Sequence, residues 1–223
     1  MRQIYFSSTL LWQKDLKPIF TAAQEHAVGG IEFWAEQAEF FNYDINSIRE
    51  FLLKNDIHAV VHSKSWDLNL ASIDTGIRLA SIDAVKNSID FAAKIGVHEV
   101  TVHPPHHTMK KEKDFSLRKT RESLSTVLEY AQQSDIALSL EIMEKLPREI
   151  ITNDRELKAV LQDLYPKFHY TVDVAHCDCE KEIFSLLSNI DNVSKMHISN
   201  RRGKKLHTVL NDGDYSFKKD RKS

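Results

Sequence analysis

The feature that most limits the fold of this chain is a repeated unit, a short apolar strand followed by an amphipathic helix. Seven strands are predicted, at 3–7, 31–33, 58–62, 99–103, 137–141, 169–173 and 193–198. The helices between them are predicted at 16–26, 45–55, 81–95, 117–134, 154–164 and 181–188, with Ser81 as the N-cap of the third and Gly96 after its end. Alternating strands and helices predict a parallel sheet joined by right-handed crossovers.

The fold class predicted from this alternation is α/β, a TIM-type (β/α) barrel occupying residues 1–223 as a single domain. Seven such strands in roughly 200 residues favour a barrel over an open sheet. No glycine-rich loop follows the first strand, which argues against a dinucleotide-binding fold. The sequence ends at Ser223, shortly after the seventh strand, so an eighth strand is expected to be lacking. Either the chain is C-terminally truncated, or another subunit of a homo-oligomer covers the gap.

Composition narrows the classes of protein. The 30 basic and 32 acidic residues give a formal net charge of −2, which does not demand a nucleic-acid partner. No apolar run reaches about 18 residues, the length of a membrane span, and the N-terminus lacks a signal-peptide layout. Cys177 and Cys179 lie too close in sequence for an ordinary structural disulfide, so we expect free thiols and a cytoplasmic location.

Five consecutive predicted strands end on a side chain that can bind a metal ion. These residues are His62, His103, Glu141, Asp173 and His197. Side chains alternate along a strand and parallel strands share one rim, so all five are expected to face the barrel interior at its C-terminal end. A single histidine at a strand end is usually hydrogen-bonded locally. Five in succession on one face predict a shared site.

A cluster of carboxylates and imidazoles is electrostatically costly unless a cation binds it. Imidazole combined with carboxylate suits zinc, manganese or iron better than calcium. The sequence therefore predicts a divalent metal ion, zinc or manganese, as the cofactor.

Three further residues extend this predicted cluster. His176 follows Asp173 in an Asp-x-x-His pattern, and His207 lies in the loop after the seventh strand; both are predicted metal ligands. Glu32 ends the second strand, where it either binds metal or substrate or forms a salt bridge at the rim.

Aromatic and basic residues near the strand ends are candidate substrate-binding residues. Trp34 and Trp66 follow two strand ends, where an indole face can stack on a sugar ring or simply pack at the rim. Arg201 begins the basic run at 201–205, which is either a solvated loop or a phosphate-binding segment.

The ordered set of motifs resembles the xylose-isomerase-like barrel superfamily, which includes sugar and sugar-phosphate isomerases and epimerases, and endonuclease IV of AP endonuclease family 2. The matching segments are 30–34, 68–72 after His62, 102–104, 140–142, 173–176, 196–198 and 211–217 after His207. The match runs over most of the chain in the expected order.

The isomerase branch implies one metal ion held by Glu141, Asp173 and His197, together with a glutamate on an eighth strand. His176 would contact a sugar or sugar-phosphate substrate. The metal would act as a Lewis acid on the sugar carbonyl and its neighbouring hydroxyl. Glu141 would abstract a carbon-bound proton to form an enediolate.

The endonuclease IV branch implies three zinc ions and cleavage of DNA at abasic sites. The zinc ligands would be His62, His103 and Glu141; Glu141, Asp173 and His197; and His176 and His207. That pattern expects an acidic residue two positions before His207, where this chain has Lys205. A third alternative is a non-catalytic metal- or ligand-binding barrel, which only the lack of an eighth strand favours.

Overall fold

In a computed structural model, which describes residues 3–26, 28–109 and 111–217, seven strands form one curled parallel sheet. They are β1 (Tyr5–Ser7), β2 (Gly30–Trp34), β3 (His58–His62), β4 (Glu99–Val102), β5 (Ala137–Ile142), β6 (His169–Asp173) and β7 (Val193–His197). Their spatial order is their order along the chain, which confirms the predicted TIM-type architecture. Over the residues described, no eighth strand pairs with β1 or β7, so the barrel is open between them.

The described part of the chain forms seven α-helices, which connect or flank these strands. They are α1 (Lys17–Glu25), α2 (Ala35–Phe40), α3 (Ile45–Asn55), α4 (Thr75–Ile95), α5 (Lys113–Gln133), α6 (Asp154–Leu161) and α7 (Glu180–Asn189). Short 3-10 segments lie at Ser8–Leu11, Gln162–Lys167 and Val174–His176. The short helix α2 was not predicted from the sequence.

The predicted N-cap of the third helix is wrong. Helix α4 begins at Thr75, and the capping side chain is Asp74, which accepts a hydrogen bond from the Ile77 amide at 3.0 Å. Ser81 lies buried inside the helix, where its hydroxyl donates to the Ile77 carbonyl at 2.7 Å. A serine that bonds back to the preceding turn is compatible with a helix interior, so its presence alone does not mark a helix start.

The two faces of the sheet differ as the period of two predicts. The side facing the helices is apolar and buried, and includes Val61, Val102, Leu140 and Val172. The interior side is polar: Ser139 and Thr171, from neighbouring strands, share a hydrogen bond of 2.7 Å. Glu141 and Asp173, each two residues further along its strand, therefore lie on the same interior side, near the C-terminal rim.

A hairpin that was not predicted follows β7. Its strands are β8 (Asn200–Arg202) and β9 (Lys205–Thr208), which pair antiparallel. None of the helices described has both the length and the apolar character that crossing a bilayer requires. Both cysteines are free thiols, as predicted; Cys177 is buried and Cys179 is exposed.

Candidate metal centre

The structure brings all five strand-end residues together around the carboxylate of Glu141. The distance from Glu141 Oε2 to His62 Nε2 is 3.6 Å, and it is 3.3 Å both to His103 Nε2 and to His197 Nδ1. Asp173 Oδ2 lies 3.8 Å from the same His197 nitrogen. Asp173 and His197 are direct register partners on β6 and β7, which is why their side chains meet.

Backbone carbonyls orient two of the imidazoles. His62 Nδ1 lies 2.8 Å from the carbonyl oxygen of Ser63, and His176 Nδ1 lies 2.8 Å from that of Ile142. A carbonyl accepts only, so each neutral ring carries its proton on Nδ1 and keeps a lone pair on Nε2. This is the outer hydrogen bond that metal-binding histidines ordinarily make. Both rings are thus prepared to donate to a cation through Nε2.

Glu141 has the environment of a carboxylate that needs a cation. It is 2% exposed, and its Oε2 has no hydrogen-bond partner among the residues described. Burial by itself would raise the pKa of Glu141, but His197 and His103 hold it well below its usual value. Burial and the neighbouring Glu141 charge raise the pKa of Asp173. The pKa values of two buried carboxylates placed close together separate in this way unless a cation lies between them.

Glu32 anchors His197 from the opposite side. Its Oε1 lies 3.1 Å from His197 Nε2 and accepts a hydrogen bond from the Thr101 hydroxyl at 3.0 Å. Burial opposes ionisation of Glu32, but the attraction of His197 lowers its pKa to about 2. Because Glu32 accepts a hydrogen bond from His197 Nε2, the Nδ1 edge of the ring faces Glu141 and Asp173.

Within the ranges that the structure describes, three overlapping groups of donor atoms have the composition of metal sites, with each group's atoms within 4.8 Å of one another. The groups are His62, His103 and Glu141; Glu141, Asp173 and His197; and Asp173, His176 and His207. Imidazole nitrogens and carboxylate oxygens suit zinc or manganese. Together with the unpartnered Glu141 oxygen, this donor set fits a bound divalent ion.

Two further predicted ligands, His176 and His207, lie beside Asp173. His207 is exposed, and its Nδ1 lies 4.0 Å from Asp173 Oδ2. Next to it, His176 is buried and its ring centre is 5.3 Å from that of His207.

Sequence reasoning missed Glu144, whose Oε2 lies 3.7 Å from His176 Nε2. The available signal was a second acidic residue three positions after Glu141, in the loop at the same rim.

The predicted phosphate-binding residue Arg201 has structural partners. Its guanidinium donates to the Cys177 carbonyl, to Asp178 Oδ1 at 2.8 Å and to the Gly203 carbonyl. These bonds join hairpin β8–β9 to the loop after β6. Binding of substrate by Arg201 remains a prediction, because most of its donors already have acceptors within the chain.

The two predicted aromatic residues lie beside His62. The indole of Trp34 stacks on the His62 ring at 3.8 Å between ring centres and 5° between ring planes. Trp66 lies farther out, 5.7 Å from Trp34, and half of its surface is exposed. Both are therefore at the edge of the ligand cluster, on the side of β2 and β3.

Comparison with known proteins agrees with this architecture. The model of the xylose isomerase-like TIM barrel family matches residues 20–220. Two uncharacterized proteins of Methanocaldococcus jannaschii are similar in sequence. MJ1614 is 26% identical over 164 residues, which are 73% of this chain and 64% of that protein. The chain therefore matches less than two thirds of the length of that relative. MJ1311 is 21% identical over 220 residues, 95% of this chain and 75% of that protein.

Solved structures of similar fold include several sugar epimerases. A D-tagatose 3-epimerase-like protein superimposes with a TM-score of 0.85 at 19% identity, over 97% of this chain and 83% of that one. An L-ribulose 3-epimerase superimposes with a TM-score of 0.78 at 16% identity, over 97% of this chain and 75% of that one. A D-psicose 3-epimerase superimposes with a TM-score of 0.75 at 17% identity, over 91% of this chain and 76% of that one. At these identities the likeness establishes the fold.

Proposed function

We propose a function from the premise that this chain belongs to the xylose isomerase-like TIM barrel family. The chain is a divalent-metal-dependent isomerase or epimerase that acts on a sugar or sugar phosphate. The observation that carries this proposal is the buried Glu141 carboxylate, which has an unpartnered oxygen and three imidazoles within 3.6 Å. The sugar epimerases among proteins of the same fold support the choice of substrate class.

The residues that would hold the ion are Glu141, Asp173 and His197. When bound, zinc or manganese supplies a Lewis acid that makes the hydrogen next to a sugar carbonyl more acidic. Glu141 is ionised because His197 and His103 lower its pKa, so it has a free electron pair to accept that proton. The product of this step is an enediolate, and returning the proton to a different carbon or face gives the isomer.

Two neighbouring side chains orient the substrate. His176 keeps its Nε2 lone pair free because Nδ1 is bonded to the Ile142 carbonyl, so Nε2 can accept a hydrogen bond from a sugar hydroxyl. Trp34 covers His62 and shields that side of the cluster from water. A partly desolvated site strengthens the electrostatic interactions on which proton abstraction depends.

The experiment is proton exchange in heavy water. Purified protein with zinc or manganese is incubated in D2O with D-fructose, D-tagatose and D-psicose, and deuterium on carbon is followed by NMR. We expect exchange and epimer formation with the unmodified protein and none with Glu141→Gln, while circular dichroism shows an unchanged fold. A matched control is Glu129→Gln, which alters an exposed glutamate on α5. Equal exchange by the Glu141→Gln protein would refute the proposed base.

A zinc-dependent endonuclease acting at abasic DNA sites is the second candidate. The specific observation in its favour is that the three donor groups overlap, sharing Glu141 and Asp173, which allows several ions to be bound side by side. Metal analysis should then find three zinc ions per chain rather than one, and a duplex with an abasic site should be cut. DNA binding would rest on phosphate contacts and weaken steeply with salt. A lack of cleavage with zinc present removes this candidate.

A further inference from the structure

All three tryptophans of the chain belong to one cluster that begins at the candidate metal centre. Trp34 stacks on His62, the ring of Trp66 is 5.7 Å from that of Trp34, and the ring of Trp12 is 5.3 Å from that of Trp66. Phe40 continues the row at 5.9 Å from Trp12. We call Trp12, Trp34, Trp66 and Phe40 the aromatic strip.

Trp34 ends β2, and the other members of the strip lie on the segments that follow β1, β2 and β3, at the same rim as the metal centre. Its outer members are open to solvent: Trp12 is 41%, Trp66 51% and Phe40 73% exposed. Large aromatic side chains left exposed together usually mark a binding surface. Because its inner end touches His62, the strip extends the candidate site outward beyond the space of one sugar ring.

Free polar atoms accompany the aromatic rings. Among the residues described, Trp34 Nε1, Ser65 Oγ and Glu36 Oε2 are buried and have no hydrogen-bond partner. Glu36 and Ser65 are neighbours in the structure, because Glu36 Oε1 accepts hydrogen bonds from the amides of Ser65 and of Trp66. The ring of Trp66 in turn lies 5.7 Å from that of Trp34. Buried polar atoms of this kind call for a partner. Donors and acceptors placed among flat aromatic faces suit a ligand that has both hydroxyl groups and an apolar ring face, which is the chemistry of a sugar.

We propose that the aromatic strip is a second sugar subsite, so that the substrate is a glycosylated sugar rather than a free monosaccharide. The reacting ring lies at Glu141, and the second ring packs its C–H face on the indoles of Trp66 and Trp12. This inference rests on the proposed function for the reacting ring only. The binding of the second ring is measurable without turnover.

The test compares binding of lactulose, a galactose ring joined to fructose, with binding of D-fructose by titration calorimetry. We expect the unmodified protein to bind lactulose about tenfold more tightly, a difference worth one stacked ring. Trp12→Ala and Trp66→Ala should bring the ratio of the two dissociation constants close to one. Phe184→Ala removes an exposed aromatic ring from α7, away from the strip, and should leave the ratio unchanged.

Three outcomes would overturn the proposal. Equal binding of the two sugars by the unmodified protein overturns it, as does a ratio that survives both tryptophan substitutions in folded protein. Light scattering is measured alongside: if the substitutions dissociate an oligomer and leave the ratio unchanged, the strip is a protein interface and the proposal falls. A preference for lactulose without deuterium exchange would retain the second sugar subsite and refute the proposed isomerase or epimerase reaction. Deuterium exchange without a preference for lactulose would retain the reaction and refute the subsite.

Discussion

His197 and Glu32 join the last parallel strand to the second across the barrel interior, although the two residues are 165 positions apart. The distance between His197 Nε2 and Glu32 Oε1 is 3.1 Å. The contact gives His197 a fixed orientation with Nδ1 toward Glu141, 3.3 Å away. Glu32 therefore acts behind a candidate ligand, as the outer partners of metal-binding histidines do.

The first prediction concerns this support. Glu32→Gln should lower the affinity for zinc or manganese by about 10- to 100-fold, because His197 loses the charge that orients it. Competition with a chromophoric chelator measures the affinity. Glu99→Gln is the matched control. Glu99 is also a partly buried glutamate paired with a cation, Lys195, but it is the first residue of β4 and so lies at the opposite, N-terminal end of the strands. An equal loss of affinity in both variants would contradict the role of Glu32.

The second prediction concerns the stability of the metal-free protein at different pH. Burial opposes the charge on His197, but Glu32 and Glu141 raise its pKa well above 6.5. That stabilisation is fully present below pH 6.5 and is lost as the pH rises through the raised value. The pKa of Glu32 is lowered from 4.5 to about 2, so its stabilisation is present above pH 4.5 and is lost as the pH falls toward 2.

In thermal unfolding with EDTA, the contribution of His197 and Glu32 to the stability of the fold should therefore be largest between about pH 4.5 and 6.5. A metal ion competes with the proton on His197, so its binding tightens as the pH rises. Added zinc or manganese should move the optimum to higher pH. An optimum that does not change with metal would mean that protons and metal do not share this histidine.

The third prediction concerns hairpin β8–β9, which carries His207. A Cβ atom added at Gly213 would lie 2.3 Å from Asn200 Cγ and 2.4 Å from the Arg201 carbonyl oxygen. Asn200 is fully buried, and its side chain donates to the carbonyls of Leu210 and Tyr215. Gly213→Ala should displace this contact and increase amide exchange in the hairpin at least tenfold while β3 to β6 stay protected.

Hydrogen exchange followed by mass spectrometry makes the measurement. Lys204→Ala, an exposed change at the hairpin turn, serves as the control and should have no effect. Unchanged protection in the Gly213→Ala protein would show that the hairpin does not depend on the packing of Gly213 against Asn200.

The fourth prediction concerns Glu144. Glu144→Gln removes a negative charge 3.7 Å from His176 Nε2, where a sugar hydroxyl is proposed to bind. We expect kcat/KM to fall by about tenfold with metal affinity unchanged, because the Glu144 carboxylate is placed to accept a hydrogen bond from the same sugar. Glu149→Gln, in the same loop but paired with Arg148, should retain activity. A Glu144→Gln protein that loses its metal would assign Glu144 to the metal centre instead.

The strands and the convergence of the five strand-end residues were predictable from local pattern. Strands β3 and β6 begin and end at the residues predicted from their short, largely apolar segments, and both end on a candidate ligand, His62 and Asp173. Helix starts were less predictable, as Ser81 illustrates, because a serine bonds equally well at a cap and inside a helix.

What the sequence by itself determined is the approximate position of each strand and which of its side chains gather at the rim, since alternation along a strand and the shared direction of parallel strands are properties of short segments. The exact last residue differs by one in β2, β4, β5 and β7. Only the tertiary structure decided that Glu32 orients His197 and that Glu144 lies beside His176. It also decided that Arg201 joins hairpin β8–β9 to the loop after β6. The same holds for the meeting of Trp12, Trp34 and Trp66. These contacts join segments far apart in the chain, so they depend on the curvature of the sheet and on loop packing, which leave no periodic signal in the sequence.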